Sequence, residues 1–380
     1  MTALDGSKSL KDCIRHFTPA WFAVIMGTGA ISILFHNFPY ASDSIAMKIF
    51  TFIFFFLNLT LFTLFNALSI SRYILFPDVW PLMIQHPVQS LYLGTYPMGA
   101  TTLINIAVGL IYQQYGFGGK AFLYALWGFW WLDVAISFLC AFEMVHVMKT
   151  RHDHSLGRMT AIWLLPVVTL VVASSTGGVL AQALARFSTS HALVTLTVST
   201  FMVSIGLALA FMILTIVFIP LGPMGQSGFS ILLLGQGFQS LLPLDYGTSS
   251  VLRYPHVGEV INVLCTCAAV VLWSLATMWL FYALLAVQEV LRQTRFPFKL
   301  PFWGLIFPNG VYANLTIQLY RTFDAEFFRV WGAIYSVATL ILWIVVFSRT
   351  IALRNASLIT ALLPVDGAVA VITRECSMIS

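Results

Sequence analysis

Long apolar runs separated by short polar or charged clusters dominate this sequence of 380 residues. Runs such as 49–68 and 161–172 carry few or no charges, and a helix needs about 20 such residues to cross the roughly 30 Å hydrocarbon core of a bilayer. With Pro, Gly and charge clusters taken as the boundaries between helices, the pattern predicts ten membrane-spanning segments. These are residues 18–36, 45–71, 88–112, 120–148, 161–186, 191–219, 226–244, 258–288, 301–320 and 327–349. The fold class expected is an all-α polytopic membrane protein.

The odd-numbered spans differ from the even-numbered ones in their small and helix-weakening residues. Each has one cluster: MGTG at 26–29, YPMG at 96–99, SSTGG at 174–178, GPMGQ at 222–226 and FPNG at 307–310. Non-helical backbone in a membrane is tolerated only where protein or a water-filled path covers it. We therefore expect the odd spans to lie inside and line a path. The helix breaks expected there are at Gly27, Gly29, Pro97, Gly99, Gly177, Gly178, Pro223 and Pro308; close packing of small residues is the alternative account.

Composition and charge set the class of protein and its orientation. Hydrophobic residues make up 59% of the chain and charged residues 9%, too little charge for a water-soluble surface. The 19 Lys and Arg residues form no patch that would suit nucleic acid. With the N-terminus inside, 13 of them fall on the inner side and 6 on the outer side, which predicts cytoplasmic termini. Residues 1–380 are expected to form a single transmembrane domain, with short cytoplasmic segments at 1–16 and 350–380.

Several chemistries are not expected. The five cysteines form no CxxC pair, so neither a disulfide framework nor a zinc site is predicted. The loop residues His152, Asp153 and His154 are interpreted as solvated rather than metal-binding. No GxxxxGK[ST] phosphate loop is present. A membrane-embedded enzyme would need facing histidines or a His/Asp dyad inside the spans, and only His146 lies well inside one. We expect no enzyme activity, no cofactor and no metal.

Few ionisable side chains fall inside the predicted spans, and each is a functional hypothesis. Asp133 and Glu259 are the two such acids of interest, although the position of Asp133 on an even span favours a structural role. Glu143 and His146 are expected to form a local i,i+3 pair. His86, before Pro87, either caps the third span or meets an anion at the entrance.

The candidate path residues are hydroxyls, amides and aromatics, none of them charged: Thr28, Thr95, Tyr96, Ser174, Ser175, Thr176, Gln226, Phe307 and Asn309. Hydroxyl and amide donors and positive helix ends can hold a small anion weakly enough for fast release. Cation channels usually carry rings of Asp or Glu, which this set lacks. The pattern therefore favours a small anion.

Four segments, at 95–99, 166–178, 221–235 and 302–310, resemble fungal sulfite efflux pumps of the tellurite-resistance and dicarboxylate transporter family. That family also includes yeast malate permeases and guard-cell slow anion channels, and the resemblance covers about residues 15–350. It implies ten helices in five helical hairpins with quasi-fivefold symmetry around a central pore, three subunits per assembly, and a pore blocked by Phe307. Asn309 departs from the sulfite pumps, where a methionine is expected, and matches malate-type relatives.

The function expected from the resemblance is export of sulfite or bisulfite across the plasma membrane, by uniport or channel-like diffusion. The partners expected are this small inorganic anion and membrane lipid. Two alternatives stay open. One is proton-coupled transport of a C4-dicarboxylate such as malate, although no Lys or Arg is evident in the path for a second carboxylate. The other is a chloride- or nitrate-type channel.

Overall fold

The computed structural model describes residues 10–41, 44–151, 161–214, 221–293, 298 and 300–355. Over these ranges the chain is helical and contains no β-strand. Its α-helices are α1 (Leu10–Arg15), α2 (Phe22–Asn37), α3 (Ile45–Leu75), α4 (Val79–Gln85), α5 (Thr95–Ile106), α6 (Gly119–Arg151), α7 (Leu165–Leu184), α8 (Thr189–Leu214), α9 (Leu221–Leu241), α10 (Val257–Gln293), α11 (Ile306–Phe323) and α12 (Glu326–Asn355). A π-helical stretch, Ala107–Gln114, continues α5. The loop with His152, Asp153 and His154 lies outside the described residues, as does most of each terminal segment.

Apart from α1 and α4, these helices follow the predicted spans in order. Seven of those described are long and apolar enough to cross a membrane, judged by length and composition: α2 with its preceding turn, α3, α6, α7, α8, α10 and α12. The other three, α5, α9 and α11, are shorter or carry Gln and Asn side chains. Ten membrane crossings therefore remain a prediction.

Five helices, α2, α5, α7, α9 and α11, form a closed inner ring. Each packs on the next, and α11 returns to pack on α2. Gly27 on α2 approaches Ile306, and Gly310 on α11 approaches Ala30 one turn further along, so the two helices run in the same direction. The glycine contacts between α2 and α5, and between α9 and α11, also move toward higher residue numbers on both helices, so these pairs are parallel as well. The inner ring is thus a parallel bundle built from the helices that carry the Gly and Pro clusters.

The remaining long helices, α3, α6, α8, α10 and α12, lie outside the ring and pack antiparallel against it. On α6, Trp130 Nε1 donates to the Ala173 carbonyl at 2.8 Å, and the Ser137 carbonyl accepts from Thr169 Oγ1 at 3.3 Å. Within the apolar windows of α3 and α10 only 17% of residues are buried, against 89% for α7. The outer helices therefore present apolar side chains to the membrane and the inner helices do not.

The prolines lie at the beginnings of the inner helices and do not break them. Pro97, Pro223 and Pro308 are each the third residue of α5, α9 and α11. The first N–H groups of a helix have no partner within it, so a proline at this place removes no hydrogen bond. The prediction of helix breaks at these prolines is wrong.

The glycines also lie inside uninterrupted helices. α2 continues through Gly27 and Gly29, α5 through Gly99, and α7 through the pair Gly177 and Gly178. A Cβ added to Gly29 would stand 2.0 Å from Thr102 Oγ1 on α5, and one added to Gly177 would stand 2.0 Å from Ser199 Oγ on α8. The prediction of helix breaks at these glycines is wrong, because they serve close helix packing, the alternative account.

Candidate anion pathway

A cavity of about 210 Å³ lies on the axis of the inner ring. Its lining comes from α2, α5 with its π-helical continuation, α7, α9 and α11, and no described residue of an outer helix contributes. Lining positions recur every three or four residues, as with Val172, Ser175, Val179 and Gln182 on α7. This spacing keeps one face of each helix turned to the axis.

Apolar side chains close the end of the cavity at which the inner helices begin, called here the narrow end. Phe307 lines the cavity but is only 5% exposed. It belongs to one buried cluster with Met26, Met98 and Val168, which come from α2, α5 and α7. Four inner helices thus contribute apolar side chains to one buried cluster at this end.

The opposite end, called here the wide end, lies where the inner helices finish and is polar and open to solvent. Gln113, Gln182 and Arg321 line the cavity there and are exposed. The basic side chains among the described lining residues are Arg321 and His36, and no Asp or Glu is among them. The electrostatics of the described lining therefore favour an anion.

Inside the cavity, near the narrow end, two of the predicted path residues meet. Gln226 Nε2 on α9 donates to Ser175 Oγ on α7 at 2.7 Å, and Ser175 Oγ donates to the Val172 carbonyl at 2.8 Å. The second N–H of the Gln226 amide is not used in this bond. With Phe307, these are the predicted path residues that the structure brings to the cavity.

A chain of hydrogen bonds crosses the wide end between α11 and α2. Arg321 Nη1 donates to Asn37 Oδ1 at 3.4 Å, and Arg321 Nη2 donates to the Asn37 carbonyl at 3.3 Å. Asn37 Nδ2 donates to Asn314 Oδ1 at 3.1 Å, and Asn314 Nδ2 donates to the Gly310 carbonyl. Beside it, Gln318 Nε2 donates to Gln236 Oε1 at 3.0 Å.

Three predicted hydroxyl residues point away from the cavity. Thr28 Oγ1 accepts from Trp343 Nε1 on the outer helix α12 at 3.2 Å. Thr95 Oγ1 donates to the Tyr92 carbonyl at 2.7 Å, and Ser174 Oγ donates to the Ser199 carbonyl at the same distance. The assignment of Thr28, Thr95 and Ser174 to the path is therefore corrected.

The same correction applies to Tyr96, Thr176 and Asn309, which are absent from the cavity lining. The Tyr96 ring packs against Phe22 and Phe62. Asn309 Oδ1 accepts from the hydroxyl of Tyr335 on α12 at 2.5 Å. Consecutive residues lie about 100° apart around a helix, so a run of neighbours such as 174–176 cannot all face one axis.

The lining residues that the sequence did not predict include seven amides and one arginine: Asn37, Asn105, Gln113, Gln182, Gln236, Asn314, Gln318 and Arg321. Spacing could have indicated some of them. Gln182 follows Ser175 by seven residues, two helical turns, and so lies on the same face. Arg321 is one of the six basic residues that the charge count places on the outer side.

The remaining ionisable candidates lie away from the cavity. Asp133 on α6 is 3% exposed, and neither carboxyl oxygen has a hydrogen-bond partner among the described residues. Glu259 is exposed, 3.1 Å from His256 Nδ1. His86 Nδ1 accepts from the backbone N–H groups of Val88 and Gln89, which agrees with the first of its two predicted alternatives, a cap on the third span.

Glu143 and His146 are both exposed near the end of α6, and they form no ion pair in the described structure, contrary to the prediction. No group of three or more His, Cys, Asp or Glu residues that could hold a metal ion is present over the described ranges.

The chain is similar to known membrane transport proteins over most of its length. The voltage-dependent anion channel family matches residues 16–351. A sulfite efflux pump of Arthroderma benhamiae is 34% identical over 357 residues, covering 89% of this chain and 91% of that protein, and one of Trichophyton rubrum matches equally well. A malic acid transport protein of Schizosaccharomyces pombe is 24% identical over 356 residues, which cover 88% of this chain and 78% of that protein. The chain therefore belongs to the voltage-dependent anion channel family, the membrane protein family that its sequence motifs resembled.

Proposed function

We propose that this protein lets sulfite or bisulfite leave the cell through the central cavity, without coupling to ATP. The observation that carries the proposal is the lining of the cavity: donors and one guanidinium, with no carboxylate among its described residues. The family and the two fungal sulfite efflux pumps support transport of a small anion. No enzymatic step is proposed.

The proposed architecture has ten membrane-crossing helices in five hairpins, with quasi-fivefold symmetry, in one domain over residues 1–380. The closed ring supports it, because each inner helix packs with an outer partner that follows it in sequence. Three subunits per assembly is a proposal from the family resemblance. In each subunit the inner helices would line a separate pore.

We place the protein in the plasma membrane, with both termini in the cytoplasm. The excess of Lys and Arg in the predicted inner loops supports this orientation. The narrow end of the cavity then faces the cytoplasm and the wide end the exterior. An inside-negative potential, about 2.3 kcal/mol per charge per 100 mV, drives an anion outward.

Phe307 is the proposed gate. Its ring belongs to one buried apolar cluster with Met26 and Met98. Such a cluster would form a constriction that blocks ions by dewetting. Ser175 and Gln226 lie beyond Phe307 on the outward path. They would supply the first donors to an oxyanion that has passed the gate.

Export of sulfite is tested in a fungal cell that lacks its own sulfite exporter. Expression of this chain is expected to restore growth on sulfite, because the anion would leave down its electrochemical gradient. Uptake of radiolabelled malate is measured in the same cells. Malate uptake without protection against sulfite would overturn the proposal in favour of the dicarboxylate alternative.

Replacing Gln226 with leucine is expected to lower sulfite efflux by about tenfold, because it removes a hydrogen bond to a charged group worth about 1.5–3 kcal/mol. The measurement is sulfite efflux from loaded liposomes. Gln239→Leu is the matched control: Gln239 lies on the same helix, is exposed and bonds Asn262 outside the cavity. Equal efflux from the two variants would remove Gln226 from the pathway.

Malate transport is the second candidate, and one observation favours it. Arg321 reaches the cavity, so a cation is available for a second carboxylate, which the sequence interpretation had not found. The malic acid transport protein among the relatives also fits this candidate. The test with sulfite and malate in one cell separates the two.

A further inference from the structure

Each inner helix contributes a carboxamide to the wide end of the cavity, and α11 contributes a second one, Asn314. The other five side chains are Asn37, Gln113, Gln182, Gln236 and Gln318, with Gln113 on the π-helical continuation of α5. A carboxamide carries two N–H donors and one oxygen acceptor. An anion is attracted by the donors and repelled by the oxygen. The orientation of the amides therefore decides what this end of the cavity can bind.

Protein donors occupy the oxygens of three amides at this end. Asn37 Oδ1 accepts from Arg321, Asn314 Oδ1 accepts from Asn37, and Gln236 Oε1 accepts from Gln318. The amide nitrogens of Asn37, Asn314 and Gln318 each donate one N–H, to Asn314, the Gly310 carbonyl and Gln236 respectively. Each nitrogen has a second N–H. These bonds therefore occupy the oxygens of Asn37, Asn314 and Gln236 and leave N–H groups of Asn37, Asn314 and Gln318 for a ligand, whereas Asn105 Oδ1, also in the lining, has no partner among the described residues.

Arg321 sets the direction of this network. A guanidinium has five N–H donors and no acceptor, so the group that faces it must be an oxygen, here Asn37 Oδ1. That fixes the Asn37 nitrogen toward Asn314. Two of the guanidinium donors go to Asn37, and the others remain for a ligand.

The charge of Arg321 matters at this place for a second reason. The inner helices run parallel and end here, so their carbonyl ends contribute partial negative charge, which would repel an anion. Arg321 offsets that charge. The nearby Arg329 does not line the cavity and is paired with Glu326 at 3.5 Å.

We infer that the wide end is a binding site for a small oxyanion, held by Arg321 and by the N–H groups of Asn37, Asn314 and Gln318. The site deepens the proposed function and rests on it, since it would lie at the exit of the anion pathway. A planar guanidinium fork binds two oxygens of one anion, which favours sulfite or nitrate over a spherical halide. A site that combines neutral donors with one charged donor binds the anion weakly enough to release it.

The binding test uses the purified full-length chain in detergent. Thermal unfolding is followed by tryptophan fluorescence while sodium sulfite or nitrate replaces sodium gluconate at constant ionic strength, since a ligand that binds the folded state raises Tm. Arg321→Gln is expected to weaken the apparent affinity for the oxyanion about tenfold, because a charge-assisted contact is lost. Arg329→Gln, the matched control at the same end, should keep the wild-type response.

Two further variants separate charge from orientation. Arg321→Lys keeps the charge but loses the fork, and an affinity about threefold weaker is expected. Asn37→Asp keeps Arg321 but adds a negative charge and removes the donor to Asn314, so the anion response should disappear. A response to anions that is unchanged in Arg321→Gln and Asn37→Asp would overturn the site. If Arg321→Gln fails to fold, Arg321→Lys and Asn37→Asp decide.

Sulfite efflux from liposomes, measured on the same preparations, distinguishes failure of the site from failure of the proposed function. Stabilisation by anions that depends on Arg321, without sulfite efflux by the wild type, would leave the site standing and overturn the function. Wild-type efflux with neither affinity nor rate altered by Arg321→Gln would overturn the site and leave the function.

Discussion

Replacing Phe307 with alanine is expected to raise anion flux by about tenfold or more, because lowering a barrier by 1.4 kcal/mol gives a factor of ten. The ring is the largest side chain that both lines the cavity and belongs to the apolar cluster at the narrow end. Its removal would let water reach the Ser175–Gln226 pair from the other side, which ends the dewetted constriction. Current under voltage clamp, or sulfite efflux from liposomes, measures the change.

Phe22→Ala is the matched control for this prediction. Phe22 is equally buried at 4% and also lies on an inner helix, but it packs outward against Phe62 and Phe65 and does not line the cavity. Both variants delete the same atoms from a packed interior, so both lose stability. Only Phe307→Ala should gain flux. Unchanged current in Phe307→Ala would remove Phe307 as the gate.

Replacing Gly29 with alanine is expected to destabilise the protein by about 1–3 kcal/mol, the cost of overpacking a close contact. The new Cβ would stand 2.0 Å from Thr102 Oγ1 and 2.7 Å from Asn58 Nδ2. These two side chains are hydrogen-bonded to each other at 3.1 Å, so the shift that relieves the clash disturbs the junction of α2, α3 and α5. Thermal unfolding in detergent, followed by tryptophan fluorescence, reports the loss.

Gly128→Ala controls for the helix propensity of the new residue. Gly128 lies on α6, is exposed, and has no atom within 4 Å of an added Cβ. Alanine favours a helix by about 1 kcal/mol over glycine at both positions, so any difference in Tm between the two variants reports the contact. An equal Tm for both would mean that α2 and α5 can separate without cost.

Sequence patterns separate the helices of the inner ring from the outer ones, whereas most of the path residues that they suggest lie away from the cavity. The Gly and Pro clusters identified the inner helices, because parallel helices that pack closely need small residues at their contacts. The reason given for the clusters was wrong, since the glycines lie within continuous helices and the prolines lie in first turns. Ser175, Gln226 and Phe307 line the cavity, and their roles in an anion path remain predictions.

The amides at the wide end could not be selected from sequence in the same way. Gln236 lies ten residues beyond the motif at 222–226 and Gln318 eight residues beyond the motif at 307–310. An amide near the end of a span is equally compatible with a solvated position. Their role depends on which face of the helix turns to the axis and on the residue opposite. Both the face and the opposite residue are set by the way the neighbouring helices pack.

The sequence by itself determined that this chain is a helical membrane protein, which helices are inside, and to which family it belongs, because hydropathy and small-residue motifs are local properties of the chain. Only the tertiary structure decided which side chains share the axis. Thr28 and Asn309 turn to α12, whereas Arg321 turns to Asn37. The physical reason is that the rotation of each helix follows from its packing against two or three others, which no single segment encodes.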